Sequence, residues 1–311
     1  MLAEITAHLC CPVCGQPLAQ PAGDGDSVRG GALRHGGRIR AGPLRCPRGH
    51  SFDQARQGYV QLTAGPVAHS GDSAQMVAAR ADFLAAGHYS FISEALAEAV
   101  PDRGLVLDVG AGTGYHLGRV LDAHPEAIGL AVDVSKPALR RAAKAHPRAG
   151  AILADVWQGL PVTGQAAAVL LNVFAPRNGH EFARVLAPEG ALLVVTPTAR
   201  HLTELVDALA LLRVDPAKEE RVAASLAPWF VAESSALAGR QLSLSHAEVA
   251  TLVGMGPSAW HLAPDVLAAR LARLPEPCRV TAEVQVSRYS QDRPAILDRG
   301  LSSGCAGGRP G

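Results

Sequence analysis

The segment Leu107-Asp108-Val109-Gly110-Ala111-Gly112-Thr113-Gly114 limits how this chain can fold more than any other. It closes an apolar run that begins at Leu105 and opens a stretch of helical period. A glycine-rich turn between a strand and a helix lets a ligand lie against the backbone at the carboxyl edge of a sheet. The surrounding sequence alternates in the same way. Apolar runs at Leu105–Val109, Ile128–Val132, Ala151–Ala154, Ala168–Val173 and Ala191–Thr196 are separated by segments of helical period, which predicts a parallel sheet covered by helices on both faces. Helices are then expected at His201–Leu212, Ser245–Val253 and Pro264–Leu274, before a last strand at Arg279–Arg288.

The spacing of the glycines and acids selects the ligand. A dinucleotide fingerprint places Gly-x-Gly-x-x-Gly over a pyrophosphate, whereas Asp108-x-Gly110-x-Gly112-x-Gly114 puts an acid two residues before the first glycine. That suits S-adenosylmethionine, whose ammonium and sulfonium favour an acidic mouth. Asp133 ends the second strand, where it can accept from ribose hydroxyls, and Asp155 ends the third, where it can accept from an adenine amino group. A nicotinamide or nucleotide fold is the alternative. The turn Asn172-Val173-Phe174-Ala175-Pro176 follows the fourth strand, where the acceptor is expected: Asn172 can orient it, Phe174 can stack on a base and Pro176 stiffens the loop. Tyr115 and Trp260 are further stacking candidates. Lys136, Arg140 and Lys144 form a basic stripe read first as a solvated helix face and second as a phosphate contact.

Four of the six cysteines crowd the first fifty residues. Cys11-Pro-Val-Cys14-Gly and Cys46-Pro-Arg-Gly-His50 carry two pairs of ligands at metal spacing, so Cys11, Cys14, Cys46 and His50 are expected to close a structural zinc shell, with Cys10 a bystander. Buried thiols beside a surface histidine are the alternative. Residues 1–64 hold seven arginines against four acids, while the whole chain carries a net charge of only +1. Any nucleic-acid surface is therefore local. The expected organisation is a zinc-binding RNA-recognition domain at 1–64, a helical linker at 65–100 broken around Gly87, a methyltransferase domain at 101–290 and a disordered tail at 291–311.

With 48% hydrophobic and 18% charged residues, wholesale disorder is excluded. No apolar run is long enough for a membrane span and no secretory signal is read, so no membrane partner and a cytoplasmic address are expected. Hydrolase and kinase signatures are absent from the sequence.

These residues together resemble the RlmA family of 23S rRNA (guanine-N1)-methyltransferases. The resemblance covers roughly residues 9–288. It rests on the Cys11/Cys14/Cys46/His50 knuckle, His50-Ser-Phe-Asp53, Gln57-Gly-Tyr-Val-Gln-Leu62, Gly71-Asp-Ser-Ala-Gln-Met76, Ala86-Gly-His-Tyr89, Asp133-Val-Ser-Lys136, Asn172-Val-Phe-Ala-Pro176 and Met255-Gly-Pro-Ser-Ala-Trp260. It implies a class I S-adenosylmethionine-dependent methyltransferase, α/β and Rossmann-like with a seven-stranded, mostly parallel sheet, and a small N-terminal zinc-binding domain. It further implies that Tyr89, His116, Leu117 and His201 contact the cofactor beside the glycine loop and that Asn172 belongs to the same site. Val214 and Asn172–Asn178 look most like the branch that confers resistance to tylosin- and mycinamicin-type macrolides. That likeness implies guanine 748 in a domain II hairpin of 23S rRNA as target, and a homodimer. The insert from Gly15 to Arg45 is longer and richer in glycine and arginine than the family pattern. A small-molecule methyltransferase of a biosynthetic pathway and a non-enzymatic zinc nucleic-acid-binding protein are the rival functions.

Overall fold

A computed structural model describes residues 1–20, 42–67, 69, 71–213, 215, 217–256 and 262–299. The N-terminal segment contains α1 (Ala3–Thr6), β1 (Leu44–Arg45), β2 (Ser51–Phe52) and β3 (Val60–Gln61). Two helices follow, α2 (Ala74–Ala85) and α3 (Ser90–Ala99), broken as expected where Gly87 takes φ +81. The alternating region comprises β4 (Arg103–Val109), α4 (Tyr115–Ala123), β5 (Glu126–Asp133), α5 (Lys136–Ala142), β6 (Ala149–Leu153), β7 (Ala167–Val173), α6 (Gly179–Val185) and β8 (Leu186–Pro197). The chain ends with α7 (Thr203–Leu209), α8 (Lys218–Leu226), β9 (Phe230–Leu244), α9 (His246–Gly254), α10 (Pro264–Leu271), β10 (Cys278–Gln291) and α11 (Arg293–Asp298).

One large sheet runs β3-β6-β5-β4-β7-β8-β10-β9, so it has eight strands where seven were expected. The pairings from β3 through β8 are parallel, and β10 joins β8 and β9 antiparallel. The chain leaves central β4 in one direction for β5 and β6, then returns to its other side for β7. That reversal opens a crevice at the carboxyl ends of β4 and β7.

Side chains alternate across the sheet as strand geometry requires. Val106 faces one core with Phe83, Leu84, Ile92, Leu96 and Leu117, whereas Leu105, Leu107 and Val109 face the other with Phe182, Leu192 and Val194. The second core also holds Ile5, Leu9, Cys11, Leu18, Leu44 and Cys46. The N-terminal segment and the sheet thus share one hydrophobic core. Main-chain contacts join them too: Leu9 bridges Val162, the Cys10 amide donates to Pro161 O at 3.1 Å, and Leu62 N donates to Leu153 O at 2.9 Å.

Three expectations are corrected, and one strand is added. The boundary at residue 64 falls after β3, yet β3 pairs Val60 with Ile152 and Gln61 with Leu153 as an edge strand of the main sheet. The helices of the expected linker are core elements, since Phe83, Leu84, Phe91, Ile92 and Leu96 are all buried. β9, not expected, pairs along its length with β10 although Val231 to Leu237 is exposed on both faces; its register comes from its partner, because a Ser/Ala-rich edge strand has no alternation to read. The start of the expected disordered tail forms α11, where Asp292 Oδ1 accepts from Ala295 N and Gln291 Nε2 donates to Ala183 O and Leu186 O. The Gly/Arg-rich insert (mostly residues 21–41), Val214, Trp260 and residues 300–311 lie outside the described residues.

Candidate active site and metal centre

The glycine turn closes β4 against β5: Gly110 N and Ala111 N both donate to Val132 O, at 2.9 and 3.1 Å. Gly110, Gly112 and Gly114 take φ +78, +55 and +75. A side chain is strained at each of them. Space gives the stronger reason at Gly110, where a Cβ would stand 2.3 Å from that of Ala175. The absent side chain lets the acceptor-side loop lie directly on the cofactor-side turn.

A cavity of about 880 Å³ opens above this contact, within the range of small-molecule sites. Tyr89, Asp108, Gly110, Gly112, Tyr115, His116, Asp133, Asp155, Phe174, Pro176 and His201 all line it. Three expected residues do not. Gly114 starts α4, where a Cβ would press on Ala142. Leu117 is fully buried in the core. Asn172 is also fully buried, and its Nδ2 donates to Val109 O at 3.3 Å and Pro176 O at 2.9 Å. Asn172 Nδ2 thus ties the β4 tip to the acceptor loop, while its buried Oδ1 has no partner among the described residues.

The carboxylates differ in their partners. Asp133 Oδ2 accepts from Gly112 N and its Oδ1 from Ser135 N, both at 2.8 Å. Asp155 Oδ2 lies 2.8 Å from His69 Nδ1, and Oδ1 accepts from Trp157 N at 3.0 Å. Asp108 is buried, and its Oδ1 has no partner among the described residues. Burial and the neighbouring charge of Asp133 push its carboxyl up to about 7. An unpartnered buried carboxylate is costly unless a cation arrives to meet it. The chemistry left open at Asp108 is that of an ammonium site.

An aromatic wall stands opposite. Tyr89 Oη lies 3.1 Å from His201 Nε2, and the Tyr89, His201 and Phe174 rings have centroids 5.8 to 6.5 Å apart. Phe174 sits at φ +52 and is 41% exposed. A bulky residue is seldom left-handed and seldom solvent-facing, and such strain concentrates at ligand sites. His116 Nδ1 lies 2.8 Å from Ser93 Oγ, and burial, with the charge of Arg80, holds its imidazole down at about 4. The ring is neutral at physiological pH.

The expected metal ligands converge. The donor atoms of Cys11, Cys14, Cys46 and His50 all lie within 4.8 Å of one another. Cys14 Sγ is 3.7 Å from Cys46 Sγ, while His50 Nδ1 is 3.5 Å from Cys11 Sγ and 3.3 Å from Cys46 Sγ. Tetrahedral zinc, with bonds of about 2.3 Å to sulfur and 2.0 Å to nitrogen, sets S···S near 3.8 Å and S···N near 3.5 Å. The four residues fit zinc. Each turn is closed by a left-handed glycine, Gly15 N donating to Cys11 O and Gly49 N to Cys46 O. Cys10 is outside the cluster.

Residues 106–190 match the family described as "Methyltransferase domain". A Micromonospora griseorubida protein, described provisionally as a 23S rRNA (guanine-N1)-methyltransferase, is 56% identical over 307 residues, covering 93% of this chain and 99% of that protein. The 23S rRNA (guanine(748)-N(1))-methyltransferase of Streptomyces fradiae is 47% identical over 292 residues, covering 91% and 97%. The chain belongs to the 23S rRNA (guanine-N1)-methyltransferase family. A Bacillus subtilis protein with the same provisional description is 31% identical over 205 residues, 63% of this chain and 66% of that one. Membership makes the chain an S-adenosylmethionine-dependent enzyme of class I fold. The site of this methyltransferase fits that cofactor on its own terms: Asp108 offers an unmet anion, and the side-chain-free turn leaves the backbone open to a ligand.

The lining residues that sequence reasoning missed include Arg80, His69 and Trp157. Arg80 and His69 lie in segments read only as linker, and Trp157 is a single exposed ring after β6. None has a local pattern to mark it. The stripe of Lys136, Arg140 and Lys144 is exposed, the solvated-face reading.

Proposed function

We propose that this protein methylates N1 of a guanine in a domain II hairpin of 23S rRNA in the bacterial cytoplasm, at the position equivalent to guanine 748, and thereby confers resistance to tylosin- or mycinamicin-type macrolides. The observation that carries the choice of target is 47% identity, across nearly the whole of both chains, to a protein named for guanine 748. The geometry supports it through Phe174, an exposed ring on the acceptor side of the cavity with Tyr89 and His201 behind it. Guanine N1 is covered by base pairing, so the base reaches a pocket only when unpaired or extruded, and an aromatic face suits a base in that state.

The assignment of roles follows from position. When bound, S-adenosylmethionine supplies an electrophilic methyl group. Gly110 and Gly112 let it lie on the turn, Asp108 meets its ammonium and Asp133 accepts from its ribose. Asp155, shared with His69, accepts from the adenine amino group. Tyr89, His116 and His201 wall the methionine end, and neutral His116 adds no positive charge there. Phe174 and Pro176 shape the acceptor side, while Asn172 fixes that loop to the β4 tip. Such a site acts by orientation and by excluding water. Cys11, Cys14, Cys46 and His50 hold structural zinc, and the arginines of the N-terminal segment contact RNA phosphate.

Mass spectrometry of the 23S hairpin, with and without the protein, is the direct test. A single methyl on the target guanine, with a stop in reverse transcription there, is expected. Methylation of a free metabolite and none of the RNA would replace the reading with the small-molecule one.

A further inference from the structure

S-adenosylmethionine ends in a zwitterion, an ammonium and a carboxylate on one carbon. A pocket lined by Asp108 and Asp133 suits the first and repels the second. A cation close to the glycine turn would offset that repulsion.

Among the described residues, three arginines line the cavity: Arg80, Arg213 and Arg221. Arg213 and Arg221 have side chains 74% and 65% exposed and are paired with Asp207 and Asp215 near the rim. Arg80 differs. Its side chain is 29% exposed, and its Nη1 lies 3.5 Å from where a Cβ on Gly112 would stand. Its charge acts on Asp133 and on His116, the groups flanking the same turn.

The fold fixes Arg80 there from two sides. Ser135, next to Asp133, donates its hydroxyl to Asp72 O at 2.8 Å, and Gly71 packs on Ser135 so closely that a Cβ would meet it at 2.7 Å. Ser73 then caps α2 by accepting from Met76 N. Two turns into that helix, Arg80 pairs with Asp72 and donates Nη2–H to Met255 O at 2.9 Å. Two of its five N–H groups are engaged among the described residues, which leaves donors for a further anion.

We propose that Arg80 binds the carboxylate of the cofactor, so that Asp108 and Arg80 together read the amino-acid end as a zwitterion. The guanidinium on α2 makes cofactor binding depend on the segment that joins the N-terminal region to the sheet. The proposal rests on S-adenosylmethionine as the cofactor.

Calorimetry on the intact protein tests it with S-adenosylmethionine and its decarboxylated analogue, which keeps every group except the carboxylate. A charge-assisted bond predicts roughly ten- to hundredfold weaker binding of the analogue by wild type. Arg80→Gln should weaken S-adenosylmethionine by a similar factor and leave the analogue unchanged, so discrimination disappears. Asp72→Asn removes the ion pair but keeps the discrimination, which separates recognition from support of α2. The proposal is overturned if wild type binds both compounds alike, or if Arg80→Gln weakens both equally. Should Arg80→Gln not fold, the wild-type ratio and Arg80→Lys decide. Failure of wild type to bind either compound would instead remove the cofactor reading.

Discussion

Asp108 shows how one side chain can carry a binding site. Its Oδ1 is buried without a partner among the described residues, and Asp133 is near enough to oppose its ionisation. Asp133 escapes part of the same penalty because Gly112 and Ser135 donate to it. With the carboxyl of Asp108 raised to about 7, against about 4 in an unfolded chain, the folded cofactor-free protein holds a proton that the unfolded chain has lost. That contribution to stability is complete below about pH 4 and is lost as the pH rises to about 7. On the role proposed for Asp108, cofactor binding runs the other way, because the ammonium needs the ionised form. Its affinity should rise by up to about tenfold per pH unit from pH 5.5 to 7. Arg80, His116 and Tyr89 face the same pocket, and Asp108→Asn separates their part from that of Asp108. Calorimetry on Asp108→Asn should show weaker binding with a flattened pH profile; an unchanged slope would assign the titration elsewhere.

At the scale of elements, the knuckle and the segment after β6 are the informative pair. Asp155 begins that segment in the cavity, and Pro161 and Val162 end it against Cys10 and Leu9 of the knuckle. Glu181 and Arg184 of α6 hold it between: Glu181 accepts from Leu160 N at 2.6 Å, and Arg184 donates to Leu160 O and Val162 O. Zinc thus closes turns that are sewn to a strand connection reaching the cofactor pocket. Cys14→Ser should lower zinc content from one per chain and reduce the melting temperature by about 5 °C or more, given that structural zinc contributes several kcal/mol to such turns. Hydrogen exchange should quicken first in residues 1–20 and 42–56 and leave β4 protected. Uniform loss of protection would show that the knuckle has no separate opening.

The whole molecule does not divide where its sequence does. Composition changes near residue 64, yet β3 lies before that point and completes the sheet edge, and Ile5, Leu9 and Leu44 share a core with Leu105 and Leu107. A chain beginning at residue 65 would expose β6 and lose part of that core. It should be poorly soluble or melt well below the full chain, whereas an independent catalytic domain would keep its melting temperature and its cofactor affinity. The run of apolar strands, the three glycines, the acids Asp108, Asp133 and Asp155 near the ends of the first three apolar strands and the paired Cys/His turns could be read without coordinates, because each is a local rule of backbone freedom, periodicity or ligand spacing. The eight-stranded sheet with β3 at its edge, the bonds from buried Asn172 to Val109 O and Pro176 O, and the arrival of Arg80 and His69 beside Gly112 and Asp155 could not be read this way. Those depend on residues far apart in sequence meeting in space, and only the packed chain decides which of them meet.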